Sequence, residues 1–183
     1  MFRIGIIGAG WIAHKMTLAL GYTDEACVYA IASRSEDKAR SFAEEHGIPM
    51  AYGSYEAMLD DTEVDLVYIA TPHSHHFAHA MLALEHGKPV LVEKAFTANA
   101  NEAKILIDTA RNKGLFITEA IWTRYMPLSH KIREIMDSGI IGEPRIITAT
   151  LCYMMEHKER IVKPELCGGA LLDLGVYAIN FAR

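Results

Sequence analysis

The chain has 183 residues, 51% hydrophobic and 22% charged, with a net charge of −5; this suits one globular domain, or one domain and part of another. No basic stretch stands out, which removes the electrostatic basis for a nucleic-acid partner, and no apolar run approaches a membrane span. Cys27, Cys152 and Cys167 lack metal-ligand spacing, and so odd and sparse a set fits a reducing cytoplasm better than a disulfide scaffold. Met1–Ala13 has the outline of a signal peptide, but Gly5, Gly8 and Gly10 interrupt it and His14 and Lys15 follow at once. The expected location is the cytoplasm.

In chain order, Phe2–Ile7 reads as a buried strand and Trp11–Leu20 as a helix. Cys27–Ala32 is a second strand, and Glu36–His46 a helix ended by Gly47. Ser54 caps a short helix through Leu59, and Val64–Ala70 is a strand rich in Val, Ile and Tyr. A helix from His75 to His86 stops at Gly87, and Pro89–Val92 is a strand. Asn99 and Glu102 form a capping-box-like start to a helix that runs to Asn112, before Gly114. Leu115–Glu119 is a further strand. Alternation with short connections demands a parallel sheet with helices on both faces, and continuous apolar strands fit that double cover. Beyond Ala120 the rhythm changes. Pro127–Ser138 reads as a helix, Gly142–Pro144 as a turn and Arg145–Met155 as one long strand. Glu156–Arg160 reads as a charged loop, and Ala170–Arg183 as an apolar helix introduced by Gly168 and Gly169.

Gly8-Ala9-Gly10-Trp11-Ile12-Ala13 is G-x-G-x-x-A between a strand and a helix. The first glycine permits the tight turn, the second admits a pyrophosphate to the backbone, and the small Ala13 allows close helix–strand packing. The helix N-terminus adds free N–H groups and a favourable dipole, through the backbone of Gly10, Trp11 and Ile12. At the end of the second strand an acidic residue would hold the ribose 2′-OH of NAD, about 20 residues on. Ser33 and Arg34 stand there instead. A hydroxyl and a guanidinium suit a 2′-phosphate, so NADP is favoured over NAD, with Lys38 and Arg40 on the next helix as helpers. The alternative is that these cations are solvated surface charges. The expected organisation is a doubly wound α/β Rossmann domain over 1–120, followed by the beginning of an incomplete α+β second domain over 121–183.

Further segments carry a family resemblance. Thr71-Pro72-His73-Ser74-His75-His76 follows the third major strand, Glu93-Lys94 the next, and Gly168-Gly169-Ala170-Leu171-Leu172-Asp173-Leu174-Gly175-Val176-Tyr177 lies near the end. With the glycine turn, these resemble the Gfo/Idh/MocA oxidoreductases. Glu119–Pro127 and Tyr177 are similar to the branch holding the dimeric dihydrodiol dehydrogenases and NADP-dependent xylose dehydrogenases. The resemblance implies hydride transfer between NADP(H) and a carbon of a sugar or cyclic diol. By the same resemblance Thr71, Pro72, His75, Glu93, Lys94, Trp122 and Arg124 line the cofactor groove. Two departures stand out. The usual Glu-Lys-Pro reads Glu93-Lys94-Ala95, and family members are nearly twice as long, so the chain is expected to be truncated.

A hydride transfer that makes or consumes a hydroxyl needs an acid/base and control of alkoxide charge. Asp173 and Tyr177 are four apart on the expected last helix and so share a face. A nearby ammonium favours the phenolate. Tyr177 is therefore the expected general acid/base, Lys94 its electrostatic partner, and Asp173 a ligand of substrate hydroxyls or of Lys94. The alternative for Tyr177 is a core aromatic on an amphipathic helix. His73, His75, His76 and His79 invite a metal reading, but no helix-borne Glu base or Cys partner accompanies them, so no metal is assigned. The expected partners are a small sugar or diol and a second copy of the chain. Two other functions stay open: an inactive nucleotide-binding remnant and, last, an NAD(P)-sensing regulator.

Overall fold

The computed structural model describes residues 1–183 and divides into two units, Met1–Glu119 and Ala120–Arg183. In the first, six strands form one parallel sheet: β1 (Phe2–Ile7), β2 (Ala26–Ala32), β3 (Met50–Tyr52), β4 (Leu66–Ile69), β5 (Val90–Val92) and β6 (Ile117–Glu119). Their order is 3-2-1-4-5-6, with every neighbouring pair parallel. This is the doubly wound Rossmann arrangement. The order reverses between β1 and β4, where Ile7 pairs with Ile69. A crevice therefore opens beyond the carboxyl ends of these two strands.

The helices are α1 (Trp11–Leu20), α2 (Glu36–His46), α3 (Tyr55–Leu59), α4 (His76–Glu85) and α5 (Ala100–Lys113). Local chemistry sets their ends. Ser35, Ser54 and Asn99 each accept a backbone N–H at the N-cap of α2, α3 and α5, and Gly47 and Gly114 close α2 and α5 in the left-handed conformation. Glu102 completes the box by accepting from the N–H of Ala98, one residue before the cap. Ile7, Ala32, Val67, Ile69, Val90 and Val92 from the strands pack with Ala80, Ala83, Leu84 and Leu106 from α4 and α5. No helix is long and apolar enough to cross a membrane.

Two details of this unit differ from expectation. Met50–Tyr52 is an edge strand that sequence pattern did not reveal, because three residues offer no periodicity. The helix expected from His75 begins as a 3-10 turn over His73–His75 and becomes α-helical at His76.

The second unit contains α6 (Pro127–Asp137), α7 (Glu159–Val162) and α8 (Val176–Phe181). Pro127 opens α6 at the position where its missing N–H is harmless. The expected strand Arg145–Met155 does not form. A strand is stabilised by ladder bonds to a neighbour, and this unit offers no partner strand. The expected turn falls at Gly139–Gly142 instead, closed by the Gly142 N–H on the Gly139 carbonyl at 2.9 Å. The expected loop Glu156–Arg160 is partly helical, since Glu159 and Arg160 open α7. The expected helix Ala170–Arg183 forms without a break as far as Phe181, wound as a π turn over Leu171–Gly175 and as α8 beyond it.

Candidate functional site

At the end of β1, Gly8 has φ 104°, open to glycine and strained for other residues. A Cβ there would lie 3.0 Å from the Ala70 carbonyl oxygen and 3.0 Å from Thr71 Cγ2. Gly8 is thus the close approach between the loops after β1 and β4. Gly10, the N-cap of α1, would direct a Cβ into open space. Ala13, fully buried, lets α1 lie against the sheet. Whereas α2, α3 and α5 are capped by side chains, α1 has no side-chain cap and no acidic residue in its first turn. Its first N–H groups are donors awaiting an acceptor, and the positive end of its dipole is not neutralised. A helix N-terminus of this kind is suited to a diphosphate.

At the end of β2, the Ser33 N–H donates to the Tyr52 carbonyl at 3.1 Å, and the Ser33 hydroxyl accepts from the Ser35 N–H at 3.4 Å. Arg34 is exposed, and its positive charge is felt at Tyr55 and His79. Lys38 is also exposed, while its backbone N–H is taken by Ser35. Arg40 is tied to Glu36 one turn away, which leaves Arg34 and Lys38 as the cations presented here.

The loop after β4 is cross-braced by histidines. Thr71 Oγ1 lies 3.0 Å from His79 Nδ1, and the His79 ring packs edge-on against Tyr55 and beside His75. Burial, then the neighbouring His75 and Arg34, pushes the His79 pKa down to about 4. His76 is fully buried. Its Nδ1 is 2.7 Å from the Ala95 carbonyl oxygen and its Nε2 2.8 Å from that of Thr71. Burial pushes its pKa down to about 4 despite both carbonyls. A neutral imidazole carries one N–H, so at neutral pH it donates to one carbonyl at a time. Pro72 opens the 3-10 turn, and Ser74 Oγ lies 2.9 Å from His75 Nδ1.

After β5, Glu93 accepts from the Tyr68 hydroxyl and, at 3.1 Å, from the Lys94 N–H. Burial raises its pKa. The Lys94–Ala95 peptide is cis. Glu119, at the end of β6, accepts from the Phe96 N–H at 2.9 Å and so holds the segment that follows Lys94. The structure therefore gathers Gly8, Gly10, Trp11, Ile12, Ser33, Arg34, Lys38, Thr71, Pro72, His75, Glu93 and Lys94 at the carboxyl end of one sheet.

In the second unit the Trp122 indole N–H donates to the Tyr177 hydroxyl oxygen at 3.1 Å, and Arg124 Nε donates to Asn180 at 3.3 Å. Asp173 is 2% exposed and is gripped by Arg160 at 2.7 Å. Sequence reasoning placed Asp173 and Tyr177 on one regular helix face. Asp173 lies inside the π turn and Tyr177 just past it in α8, with Arg160 against the first and Trp122 against the second. It also missed the bracing roles of His76, His79 and Tyr68. The histidines were visible as a cluster, but their partners are backbone and hydroxyl groups that spacing does not reveal.

A parallel sheet ordered 3-2-1-4-5-6, with an open helix N-terminus at its switch point, defines a dinucleotide-binding Rossmann domain. Residues 2–120 match the family model described as oxidoreductase family, NAD-binding Rossmann fold, and residues 129–183 match the GFO/IDH/MocA C-terminal domain. The chain belongs to the Gfo/Idh/MocA oxidoreductase family. It is 41% identical over 181 residues to trans-1,2-dihydrobenzene-1,2-diol dehydrogenase of Macaca fuscata fuscata, covering 98% of this chain and 54% of that protein. It is 50% identical over 140 residues to D-xylose 1-dehydrogenase (NADP(+)) of Hypocrea jecorina, covering 71% of this chain and 36% of that one. Among solved structures, a 3-ketoreductase from Actinomadura kijaniata in complex with NADP and TDP-benzene superposes with a TM-score of 0.83 at 32% identity, over 99% of this chain and 56% of that one. An NAD-binding protein from Listeria innocua gives 0.81 at 27% identity, over 99% and 53%. The chain spans about half the length of the dihydrodiol dehydrogenases it matches.

Proposed function

We propose that this chain is an NADP-dependent oxidoreductase that transfers hydride between the nicotinamide and a hydroxyl-bearing or carbonyl carbon of a sugar or cyclic diol. The observation that carries the reading is the uncapped start of α1 beside Ser33 and Arg34. The first supplies donors for a diphosphate and the second a hydroxyl and a cation for a 2′-phosphate, where a carboxylate would select NAD. The xylose dehydrogenase and the 3-ketoreductase, both NADP proteins by name or by bound cofactor, support the choice.

When bound, the nicotinamide supplies or accepts the hydride. The chain's own residues handle the proton and the charge. Tyr177 exchanges the proton of the substrate hydroxyl, and the indole N–H of Trp122 steadies negative charge on its oxygen. Lys94 provides positive charge toward the developing alkoxide, on a segment fixed by Glu93 and Glu119. Asp173, held by Arg160, shapes the substrate side of the second unit. Solved forms of the 3-ketoreductase include one with a lysine replaced by alanine and one with a tyrosine replaced by phenylalanine. Those two positions are one residue farther apart along that chain than Lys94 and Tyr177 are here, which supports the pairing of roles.

The second unit exposes Ile140, Ile146 and Met154, and so much apolar surface favours self-association; a monodisperse monomer in sedimentation at micromolar concentration would contradict this. The functional test is a fluorescence titration with NADPH and NADH, followed by turnover on a panel of aldoses and cyclic diols. Preferential NADPH binding with turnover is the expected result. NADPH binding without turnover would support an inactive nucleotide-binding chain instead, and binding of neither would overturn both.

A further inference from the structure

A second cluster of ligand-type side chains stands apart from the proposed cofactor and substrate residues. His14 lies on α1, four residues after Gly10, and His46 is the last residue of α2, with Glu45 beside it. His14 Nδ1 and His46 Nε2 are 3.1 Å apart, Glu45 Oε1 is 3.7 Å from the same His46 nitrogen, and the ligand atoms of all three lie within 4.8 Å of one another. The His46 side chain is 7% exposed and the Glu45 side chain 65% exposed. Phe42 packs against the His46 ring at 4.4 Å and fixes its orientation.

We propose that His14, Glu45 and His46 ligate a divalent cation of the zinc class. Two imidazole nitrogens bound to one tetrahedral zinc at about 2.05 Å would stand about 3.3 Å apart, within a few tenths of an ångström of the spacing seen. Two imidazoles and one carboxylate are a donor set that suits zinc and its borderline neighbours rather than calcium or magnesium, which take oxygen. The α2 C-terminus points the negative end of its dipole at His46, which also favours a cation. Exposed Glu45 leaves an entry path and room for water as a fourth ligand. A bound ion would join α1, which opens at the diphosphate-binding turn, to α2, which follows Ser33 and Arg34. Spacing alone did not suggest the cluster, because His14 and His46 are far apart in sequence.

The competing account of the 3.1 Å separation is a hydrogen bond between two neutral rings, and metal titration separates the two. Chelator-treated full chain is titrated with zinc chloride by calorimetry and, in parallel, with cobalt(II), whose visible absorption reports tetrahedral nitrogen and oxygen ligation. The expected result is saturable one-to-one binding, a tetrahedral cobalt spectrum, and a melting temperature that rises with free zinc, because an ion that binds only the folded chain stabilises it. His14→Gln and His46→Gln should each lower the affinity by about tenfold or more. Glu45→Gln, at an exposed position that does not threaten folding, should lower it less, and His75→Gln should leave it unchanged. Absence of saturable binding, or binding unaffected by Glu45→Gln and His14→Gln, or binding lost in His75→Gln, would each overturn the proposal.

Discussion

The carbonyl oxygens of Thr71 and Ala95 meet the same buried imidazole, that of His76, one at each ring nitrogen. Thr71 follows β4 and Ala95 lies just beyond β5, so one side chain spans the loops that carry two groups of proposed cofactor residues. His76→Leu keeps the volume and removes the donor, leaving without a partner the carbonyl that the imidazole N–H serves. A loss of about 1 to 3 kcal/mol in urea unfolding is expected, with partial recovery in His76→Gln, whose amide restores a donor. Equal stability of the leucine variant and wild type would refute the bracing role.

Acid should weaken the first unit over a defined range. His76 and His79 are pushed from 6.5 down to about 4 in the folded chain, chiefly by burial. The unfolded chain takes up these protons first, so stability present above pH 6.5 is lost as the pH falls toward 4. For His76 the shift corresponds to about 3 kcal/mol; His79, less buried, contributes less. Glu93, raised by burial, opposes the trend, because its folded form binds a proton more readily. Urea unfolding between pH 7 and 4.5 should show the fall, and His79→Gln should flatten it; an unaltered slope in that variant would remove His79 from the account.

The two glycines of the turn should separate folding from binding. Gly8→Ala places a Cβ against the Ala70 carbonyl oxygen at a positive φ and should cost about 2 kcal/mol or more. Gly10→Ala meets open space at φ −116°, so stability should change by at most about 1 kcal/mol. Its methyl group still stands where a diphosphate approaches the backbone, and NADPH affinity should fall about tenfold or more, the scale of one lost charge-assisted hydrogen bond. Thermal melts and NADPH fluorescence on the same two proteins are sufficient, and a Gly10→Ala protein that binds like wild type would argue against a diphosphate at this turn.

Coenzyme choice should follow the end of β2. Arg34→Ala removes an exposed cation with little effect on the fold and should weaken NADPH by about tenfold or more while sparing NADH. Ser33→Asp should go further and reverse the preference, through repulsion of the 2′-phosphate and a new acceptor for the ribose hydroxyl. Parallel losses for both coenzymes would show that these residues do not read the phosphate.

Much of the first unit was legible because its signals are local. Ser54, Asn99, Gly47 and Gly114 marked helix ends by side-chain capping or left-handed backbone, and continuous apolar runs marked β1, β2 and β4. The glycine turn named its own chemistry, since the conformations it needs admit few residues. What escaped depended on neighbours remote in sequence. Met50–Tyr52 becomes a strand only beside β2. Arg145–Met155 has a strand's composition and lacks the partner that would make it one. The bracing by His76 and the meeting of His14 with His46 join segments that nothing in a linear reading connects.

The π turn at Leu171–Gly175 holds one residue more per turn than the helix that continues from it. Such a turn behaves as a one-residue insertion that its wider winding absorbs, so the side chains after it keep nearly the azimuth they would have in an ordinary helix one residue shorter. Asp173, inside the turn, reaches Arg160, and Tyr177, just past it, reaches Trp122. Excising a single residue from this stretch would let the helix relax to ordinary winding with the tyrosine facing nearly the same way, so the turn can lose its extra residue without turning Tyr177 from Trp122.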